Sequence, residues 1–527
     1  MKDITSSVYS FEKLRTEGYL YVDKTEFIWK LINPAGESYF LSRPRRFGKS
    51  LTLSTLKAIF QGKKELFKGL AIYDKPYDWK PYPIIHLSFA DYNVVSNAKA
   101  ELPAYLMTKV RRTAEEYAIP LPEDTPANCF GYLIDKLYEK SQVVILVDEY
   151  DKPILNNITD PDVGEILKCL KGFYSVLKDR NTQERLLFVT GVSKFCHVSL
   201  FSDLNNLTDI TMDARYATML GYTQQEFEAN FKEQIAAVEK KQDLNHADFL
   251  AEIKNWYDGF RFHAGSESVY NPVSLAKFFE SGGEFSNYWF ETGTPRFLVD
   301  LSKSRDFDFA SALNEPVPAI AFSAFEIDDI DPLTLLLQTG YVTIKSAEKK
   351  FGETWYNLDF PNREVVGAFN TYLLNRYSGK TQTGVVKFTA ELTSAMNDGD
   401  VKRLRKAMEV FFAGISYEVH HKNESNFQNI FFALFRLLGI RIKAEEHTND
   451  GRIDAVAETD KYVFLFEFKL DDDDTALSQI KEKEYYKKYE LSGKKIFLNG
   501  VTFSTEKGQI TGWQTEEANP CRPDRIA

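Results

Sequence analysis

Apolar runs of strand length recur through the first 200 residues of the chain. They fall within residues 39–41, 83–90, 143–147 and 185–192, and the third run holds five consecutive apolar residues, mostly β-branched. A run of this kind is typical of a central strand buried on both faces of a parallel sheet. After the first run, Leu51, Leu53 and Leu56 mark the apolar side of a helix. The pattern predicts an α/β domain.

The middle of the chain is predicted to be mainly helical. Thr223 and Glu226 form a capping-box pattern within the helical region 215–310. A helix at 333–340, followed by strand-like pieces at 341–344 and 355–360, has the order of a winged helix. Residues 377–415 are helical and polar enough to be a connector.

The last part of the chain alternates helix and strand patterns again. A helical apolar stripe over 424–438 precedes two strands, 452–457 and 462–470, that are joined by a short turn. A helix from residue 476 and a strand at 494–503 follow. This order predicts a second α/β domain.

Gly48, Lys49 and Ser50 stand where the first strand gives way to a helix. The N–H groups and dipole at a helix start favour an anion. Lys49 is predicted to reach the β and γ phosphates of a nucleotide, and Ser50 to ligate Mg²⁺. The first glycine of the general phosphate-loop pattern is replaced by Arg43. A basic surface turn is therefore an equal alternative from this tripeptide alone, because the proline and arginines of 42–47 are not expected to enter a core.

A carboxylate pair favours the nucleotide interpretation. Asp148 and Glu149 end the buried third strand, and ligands of α/β sheets bind at the carboxyl ends of strands. Asp148 is predicted to hold Mg²⁺ through water, and Glu149 to act as general base for the attacking water. Thr190 or Ser193, at the end of the next strand, is predicted to sense the γ-phosphate.

Three charged residues are predicted to meet in the C-terminal strands. Antiparallel pairing across the turn places Asp454 opposite Glu467, and Lys469 lies on the same face as Glu467. Charges in such apolar strands are costly unless they are paired or bind metal. Asp454 and Glu467 would ligate Mg²⁺ or Mn²⁺, with Glu424 in the outer shell, and Lys469 would act on the phosphate. A structural ion-pair cluster without activity is the alternative.

The composition is that of a globular protein. Hydrophobic residues make up 43% and aromatic residues 14% of the 527 residues. No apolar run reaches 18 residues, the N-terminus lacks a signal-peptide core, and the four cysteines have no metal spacing. These features predict a cytoplasmic protein with no membrane partner. The net charge of −11 argues against a general nucleic-acid coat but permits a local basic groove.

Three motifs resemble the AAA-ATPase-like domain of a large bacterial family. They are Arg-Pro-Arg-Arg-Phe-Gly-Lys-Ser-Leu (43–51), Val-Asp-Glu-Tyr-Asp-Lys-Pro (147–153) and Phe-Val-Thr-Gly-Val-Ser-Lys-Phe (188–195). The C-terminal element order, with Gly-Arg-Ile-Asp (451–454) and Phe-Glu-Phe-Lys (466–469), is similar to the PD-(D/E)xK nuclease fold. The resemblance implies a catalytic role for Gln479 in the following helix. It also implies nucleotide contacts at Arg45, Arg46, Phe47, Gly48, Lys49, Ser50 and Leu51.

We therefore expect two modules in four segments. An AAA-like ATPase core with a parallel sheet (1–214) precedes a helical lid and winged-helix-like region (215–376), a helical connector (377–415) and a restriction-endonuclease-like α/β domain (416–527). The predicted function is ATP-gated, metal-dependent cleavage of nucleic acid, DNA being favoured over RNA. The alternative is a nucleotide-driven switch whose inactive nuclease-like domain binds nucleic acid or protein, which the four aspartates at 471–474 favour. A protein partner and a homo-oligomer are both compatible with the sequence.

Overall fold

The computed structural model divides the chain into two compact units. The first comprises Met1–Phe297 and Val317–Asn362, and the second Leu298–Pro316 and Arg363–Ala527, so both are discontinuous in sequence. The predicted four-segment division stays a prediction. The residues that the structure describes are 1–33, 35–94, 98–158, 160–194, 204, 206–289, 299, 307–322, 331–415, 424–439, 443–449, 452–471, 475–504, 507 and 509–518.

A parallel sheet forms the centre of the first unit. Its strands are β1 (Glu37–Ser42), β2 (Ile84–Ser88), β3 (Val143–Asp148), β4 (Glu184–Gly191) and β5 (Leu207–Asp209). They lie in the order β2-β3-β4-β1-β5, and each neighbouring pair is parallel. All of β3 is buried, as its continuous apolar run predicts. The carboxyl ends of the strands therefore meet at one edge of the sheet.

Two helices of the same unit, Phe11–Thr16 and Pro126–Tyr138, begin at a side-chain cap. Pro126, for example, opens its helix while the hydroxyl of Thr125 accepts a hydrogen bond from the N–H of Asn128. Lys49–Phe60, called the phosphate-loop helix below, contacts β3. The helices in this part of the chain are Phe11–Thr16, Thr25–Ile32, Lys49–Phe60, Ala98–Glu116, Pro126–Tyr138, Lys152–Leu155 and Val163–Ser175.

Four further helices pack around an aromatic core. They are Gln224–Asn230, Lys232–Gln242, His246–Tyr257 and Pro272–Glu280. The predicted capping box is present, because Thr223 and Glu226 each bind the other's backbone N–H through their side chains. Phe227, Phe231 and Phe278 are among the residues buried in the core. The prediction of a helical middle region is confirmed for these residues.

A helix followed by a β-hairpin completes the first unit. The strands are β6 (Val317–Pro318), β7 (Thr343–Lys350) and β8 (Glu353–Asp359), with β8 antiparallel to both others. The helix Pro332–Thr339 ends at Gly340, whose φ of 85° is left-handed. A Cβ at Gly340 would lie 2.5 Å from Cγ of Pro44, so this helix end abuts the loop after β1.

The second unit contains a mixed sheet. Its strands are β9 (Lys443–Asn449), β10 (Arg452–Glu458), β11 (Tyr462–Leu470), β12 (Lys495–Ser504) and β13 (Gln509–Ala518). They lie in the order β13-β12-β11-β10-β9, in which β11 and β12 are parallel and the other pairs antiparallel. The helix Ala476–Glu482 joins β11 to β12 and contacts both. A second α/β domain is thereby confirmed.

A short segment that precedes residue 317 is built into this second unit. Asn429 is fully buried, and its side-chain amide donates to the Phe307 carbonyl at 2.7 Å while its side-chain oxygen accepts from the Phe309 N–H at 2.9 Å. The ring of Phe309 packs 5.7 Å from that of Phe369. The helices of this unit are Phe309–Asn314, Arg363–Ser378, Gln382–Asp398, Val401–Ala413, Glu424–Gly439 and Ala476–Glu482.

Candidate functional site

Residues 43–48, the phosphate loop, join β1 to the phosphate-loop helix. Gly48 caps this helix with a left-handed φ of 97°, which favours glycine. A Cβ added there would meet no atom within 4 Å. The start of a 12-residue helix therefore opens on free space, a geometry that suits an anion.

A cavity of about 550 Å³ lies beside the phosphate loop. Residues 45–52 line one side of it, together with Glu149 and Lys152 from the end of β3. Its volume is within the range of about 300–1,000 Å³ that is usual for cofactor sites. Apolar side chains from the N-terminal segment and the helical region line other parts, including Val8, Leu20, Val22, Met219, Val273 and Ala276.

Lys49 lies at the base of the phosphate loop. Its buried ammonium donates to the carbonyls of Arg43 and Pro44 at 2.8 and 2.9 Å. Burial lowers the pKa of Lys49, and the nearby carboxylates of Asp148 and Glu149 oppose that shift. The ammonium is thus held by carbonyl oxygens that it could exchange for those of a phosphate.

The hydroxyls of Ser50 and Thr190 both bind the carboxylate of Asp148. Ser50 Oγ donates to Oδ2 at 2.6 Å, and Thr190 Oγ1 donates to Oδ1 at 2.8 Å. Thr190 also donates to the Val147 carbonyl at 3.3 Å. The structure therefore places Ser50, Asp148 and Thr190 together at the carboxyl edge of the sheet, and Thr190 orients the aspartate.

Glu149 faces the cavity from the residue after β3. Its backbone has a φ of 53°, which is uncommon for a residue other than glycine. Its carboxylate lies 3.4 Å from Nζ of Lys152, whose ammonium also donates to the Ala90 carbonyl. The ion pair fixes where this carboxylate points.

Ser193 is held by a different aspartate. Its N–H and Oγ donate to Oδ2 of Asp151 at 2.7 and 2.6 Å, and the N–H of Val192 donates to the same atom at 3.0 Å. Burial raises the pKa of Asp151, and these donors oppose the shift. Ser193 is itself fully buried. A γ-phosphate-sensing role for Ser193 or Thr190 stays a prediction.

The remaining predicted nucleotide residues lie along the same loop. Arg45 and Leu51 line the cavity, and the Arg45 carbonyl accepts from Trp289 Nε1 at 3.0 Å. Arg46 also lines it and donates to the hydroxyl of Tyr9. Phe47 borders the cavity with its ring buried against Phe260 and Phe262.

The expectation that residues 42–47 stay outside the core is wrong. Ser42, Arg43, Pro44 and Phe47 are buried, and Arg43 is fully enclosed. The physical reason is that carbonyl oxygens and an aromatic ring from distant parts of the chain surround the guanidinium. Spacing along the sequence gives no signal for such partners.

Sequence reasoning also missed an ion pair that a buried lysine makes at the cavity. The ammonium of Lys24 lines the cavity and donates to both carboxylate oxygens of Glu226 at 2.6–2.7 Å and to the Thr218 carbonyl at 2.8 Å. Burial lowers the pKa of Lys24, which Glu226 opposes. The sequence does show a lysine close to the apolar residues 20–22, which is a sign of burial. Glu226 was assigned only to the capping box, so its contact with Lys24 was not predicted.

The second candidate site lies on β10 and β11. Asp454 is the register partner of Glu467, which confirms the predicted pairing. Glu467 is fully buried, and Nζ of Lys469 lies 3.2 Å from its Oε1. Gln479 lies in the helix that connects β11 to β12, where its N–H donates to the Thr475 carbonyl at 3.1 Å.

Two predicted metal ligands have side chains outside the described residues. The backbone of Glu424 begins a helix and that of Asp454 lies in β10. Among the side chains that the structure does describe, no group of three or more histidine, cysteine or carboxylate residues could hold a metal ion.

Comparisons with known proteins agree with the two predicted α/β domains. Residues 6–201 match the family model of predicted AAA-ATPases, and residues 422–513 match that of the PD-(D/E)XK nuclease superfamily. The chain belongs to the family of predicted AAA-ATPases that carry a C-terminal nuclease-superfamily domain. It is 37% identical over 529 residues to an uncharacterized protein in the vnfD 5' region of Azotobacter chroococcum mcd 1, which covers 98% of this chain and 99% of that protein. None of the helices described here has the length and apolarity needed to cross a membrane.

Proposed function

We propose that the first unit binds and hydrolyses ATP and that the second cleaves nucleic acid in a metal-dependent reaction gated by the nucleotide. The observation that carries the first half is the hydrogen-bonded series of Ser50, Asp148 and Thr190, beside a cavity lined by Gly48 and Lys49. A helix start, a lysine and a hard-oxygen pair are the parts that phosphoryl transfer uses.

The residues present fit a magnesium nucleotide. The Ser50 hydroxyl and the Asp148 carboxylate, 2.6 Å apart, are the type of oxygen donors that Mg²⁺ prefers. When bound, the ion neutralises charge on the phosphates. Lys49 would exchange the carbonyls of the phosphate loop for phosphate oxygens, and Glu149, held by Lys152, would accept a proton from water.

Calorimetry with ATP and Mg²⁺ tests this half. Lys49→Ala is expected to weaken binding by about tenfold or more, because a charge-assisted hydrogen bond contributes roughly 1.5–3 kcal/mol. Lys57→Ala is the matched control, since Lys57 lies two turns along the same helix and away from the cavity. Wild-type affinity in Lys49→Ala would refute the phosphate-loop assignment.

The second half rests on the pairing of Asp454 with Glu467 and on Lys469, whose Nζ lies 3.2 Å from Oε1 of Glu467. A fully buried carboxylate is costly unless a counter-charge stabilises it, and Lys469 supplies one. A divalent ion held by the two carboxylates would polarise the scissile phosphate. Lys469 would orient the attacking water and stabilise charge on the phosphate.

Cleavage assays test the nuclease half. The protein is incubated with linear, circular and single-stranded nucleic acids, with and without ATP, in Mg²⁺ or Mn²⁺. Lys469→Ala should lower the rate by about 10²–10³-fold, as does the loss of one charge-stabilising group. Lys461→Ala, in the exposed turn before β11, should match the wild type. Equal background cleavage by all three proteins would eliminate the nuclease assignment.

A nucleotide-driven binding switch is the second candidate. Asp471 is exposed directly after β11 and is the first of the four aspartates at 471–474. Their negative charge would repel a nucleic-acid backbone beside the site. In this case ATP must change the affinity for a nucleic acid or protein, since a ligand shifts an equilibrium only by its differential affinity. Fluorescence anisotropy of labelled DNA with and without ATP, in Lys469→Ala, tests the switch. Cleavage by the wild type that Lys469→Ala loses identifies the nuclease instead, because cleavage requires Lys469 whereas switching does not.

A further inference from the structure

Arg43, which replaces the first glycine of the general phosphate-loop pattern, is the most enclosed residue of the loop. Its guanidinium donates to the carbonyls of Ser42 at 2.9 Å, Thr211 at 2.6 Å and Tyr216 at 3.2 Å. Thr211 and Tyr216 follow β5, so this one side chain ties β1 to the segment beyond its neighbouring strand.

The ring of Phe262 covers the guanidinium. Its centroid lies 4.1 Å from Cζ of Arg43, well within the range of a cation–π interaction. The same ring meets that of Phe47 edge-on at 5.3 Å. Because Arg43 and Phe47 lie near opposite ends of the phosphate loop, one aromatic ring holds both ends.

The backbone of Arg43 makes two further contacts. Its N–H donates to the Gly191 carbonyl at the end of β4 at 3.2 Å, and its carbonyl accepts from the ammonium of Lys49 at 2.8 Å. The residue that anchors the loop therefore also sets the position of the phosphate-binding lysine. Burial lowers the pKa of Arg43 to about 9, which leaves the guanidinium charged at neutral pH.

We propose that Arg43 is a positioning residue for the nucleotide phosphates, a buried clamp that presets the phosphate loop and the Lys49 ammonium. The proposal rests on the proposed binding of ATP. Arg43 acts without touching the nucleotide, since the lining of the cavity on this loop begins at Arg45. A glycine at this position has no guanidinium, so it could neither donate to the carbonyls of Ser42, Thr211 and Tyr216 nor contact the ring of Phe262.

Affinities for two ligands test the proposal. Arg43→Gly restores the general pattern, and Arg43→Lys keeps the charge but replaces the planar fork by a single ammonium. Both variants are expected to bind ATP with Mg²⁺ about tenfold or more weakly while keeping wild-type affinity for adenosine, which has no phosphate for the loop to hold. A general loss of packing would instead weaken both ligands, so the ratio of the two affinities isolates positioning from structure.

Arg185→Lys is the matched control. Arg185 is also buried, donates to the Ile32 carbonyl at 2.9 Å and lies near the rings of Phe60 and Tyr82, but it stands at the opposite end of β4. Its substitution should lower thermal stability and leave the ratio of the ATP and adenosine affinities unchanged.

The outcomes separate this inference from the proposed function. If the wild type binds ATP and both Arg43 variants bind it within twofold, or lose ATP and adenosine equally, the inference is refuted alone. If the wild type itself does not bind ATP, the proposed function is refuted and the inference with it. Where Arg43→Gly does not fold, Phe262→Leu removes the covering ring and should produce the same selective loss of ATP affinity.

Discussion

Replacing Glu184 by glutamine is expected to stabilise the first unit at alkaline pH and to have little effect near pH 5. Glu184 begins β4 and is 1% exposed, and its carboxylate accepts a hydrogen bond from Ser38 Oγ at 3.2 Å. Burial raises its pKa from 4.5 to about 7, which the hydrogen bond from Ser38 opposes. The folded chain therefore carries this carboxyl in an environment that disfavours its charged form.

The sign and size of the effect follow from that pKa. Between pH 4.5 and about 7 the folded state keeps a proton that the unfolded chain has lost, so the free energy of unfolding falls as the pH rises. Above pH 7 the loss is complete and amounts to about 3 kcal/mol, at roughly 1.36 kcal/mol per pH unit. Glutamine cannot ionise and avoids this loss.

Hydrogen exchange of the β4 amides gives the local free energy of opening without assuming that a two-unit protein unfolds in one step. Variant and wild type are compared at the same pH, once at pH 5 and once at pH 8. Glu184→Gln should gain about 3 kcal/mol at pH 8 and less than about 1 kcal/mol at pH 5. Glu123→Gln, which removes an exposed carboxylate, should show no such difference. An equal effect at both pH values would refute the reasoning.

Three further predictions concern the cavity and the loop beside it. Glu149→Gln should bind ATP normally but release phosphate about 10²–10⁴-fold more slowly, the range for a lost general base, and an unchanged rate would contradict that role. Glu226→Gln leaves the buried ammonium of Lys24 without the carboxylate of Glu226. The free energy of unfolding should fall by about 2 kcal/mol, less than for a fully buried pair because Glu226 is a quarter exposed. An unchanged midpoint of thermal unfolding would show that the pair is energetically neutral. Gly340→Ala would place a Cβ against Pro44 at a residue with a left-handed φ. It should lower the free energy of unfolding in a urea titration by about 1–3 kcal/mol. An unchanged free energy would mean that Pro44 and its loop move aside without cost.

The candidate sites were predictable where local pattern controls the geometry. The buried run of β3 places Asp148 at the carboxyl edge of the sheet, because a continuous apolar strand of that length must be central. The turn at 459–461 is so short that it sets the register of β10 and β11. A slip by one residue would move every side chain to the other face, so Asp454 had to oppose Glu467.

What the sequence could not supply are the partners that lie far along the chain. From the sequence alone, Arg43 is expected to be a surface charge. In the structure Thr211, Tyr216 and Phe262 surround its guanidinium, and each of them is more than 160 positions away along the chain. Thr190 is likewise recognisable in the sequence only as a polar residue at the end of a strand, and its hydrogen bond to Asp148 is visible only in the structure. Composition and periodicity carry no information about such pairings.

The way the chain alternates between the two units has a consequence for its synthesis. Phe309 leaves the ribosome 120 residues ahead of Asn429, the residue that binds its backbone, while the first unit still awaits the helix and hairpin that end before Asn362. Neither unit can finish folding before part of the other has emerged. A fragment starting at residue 363 would leave the buried amide of Asn429 without Phe307 and Phe309, a cost of about 1–3 kcal/mol for each unsatisfied group. No single cut in the chain therefore yields both units whole.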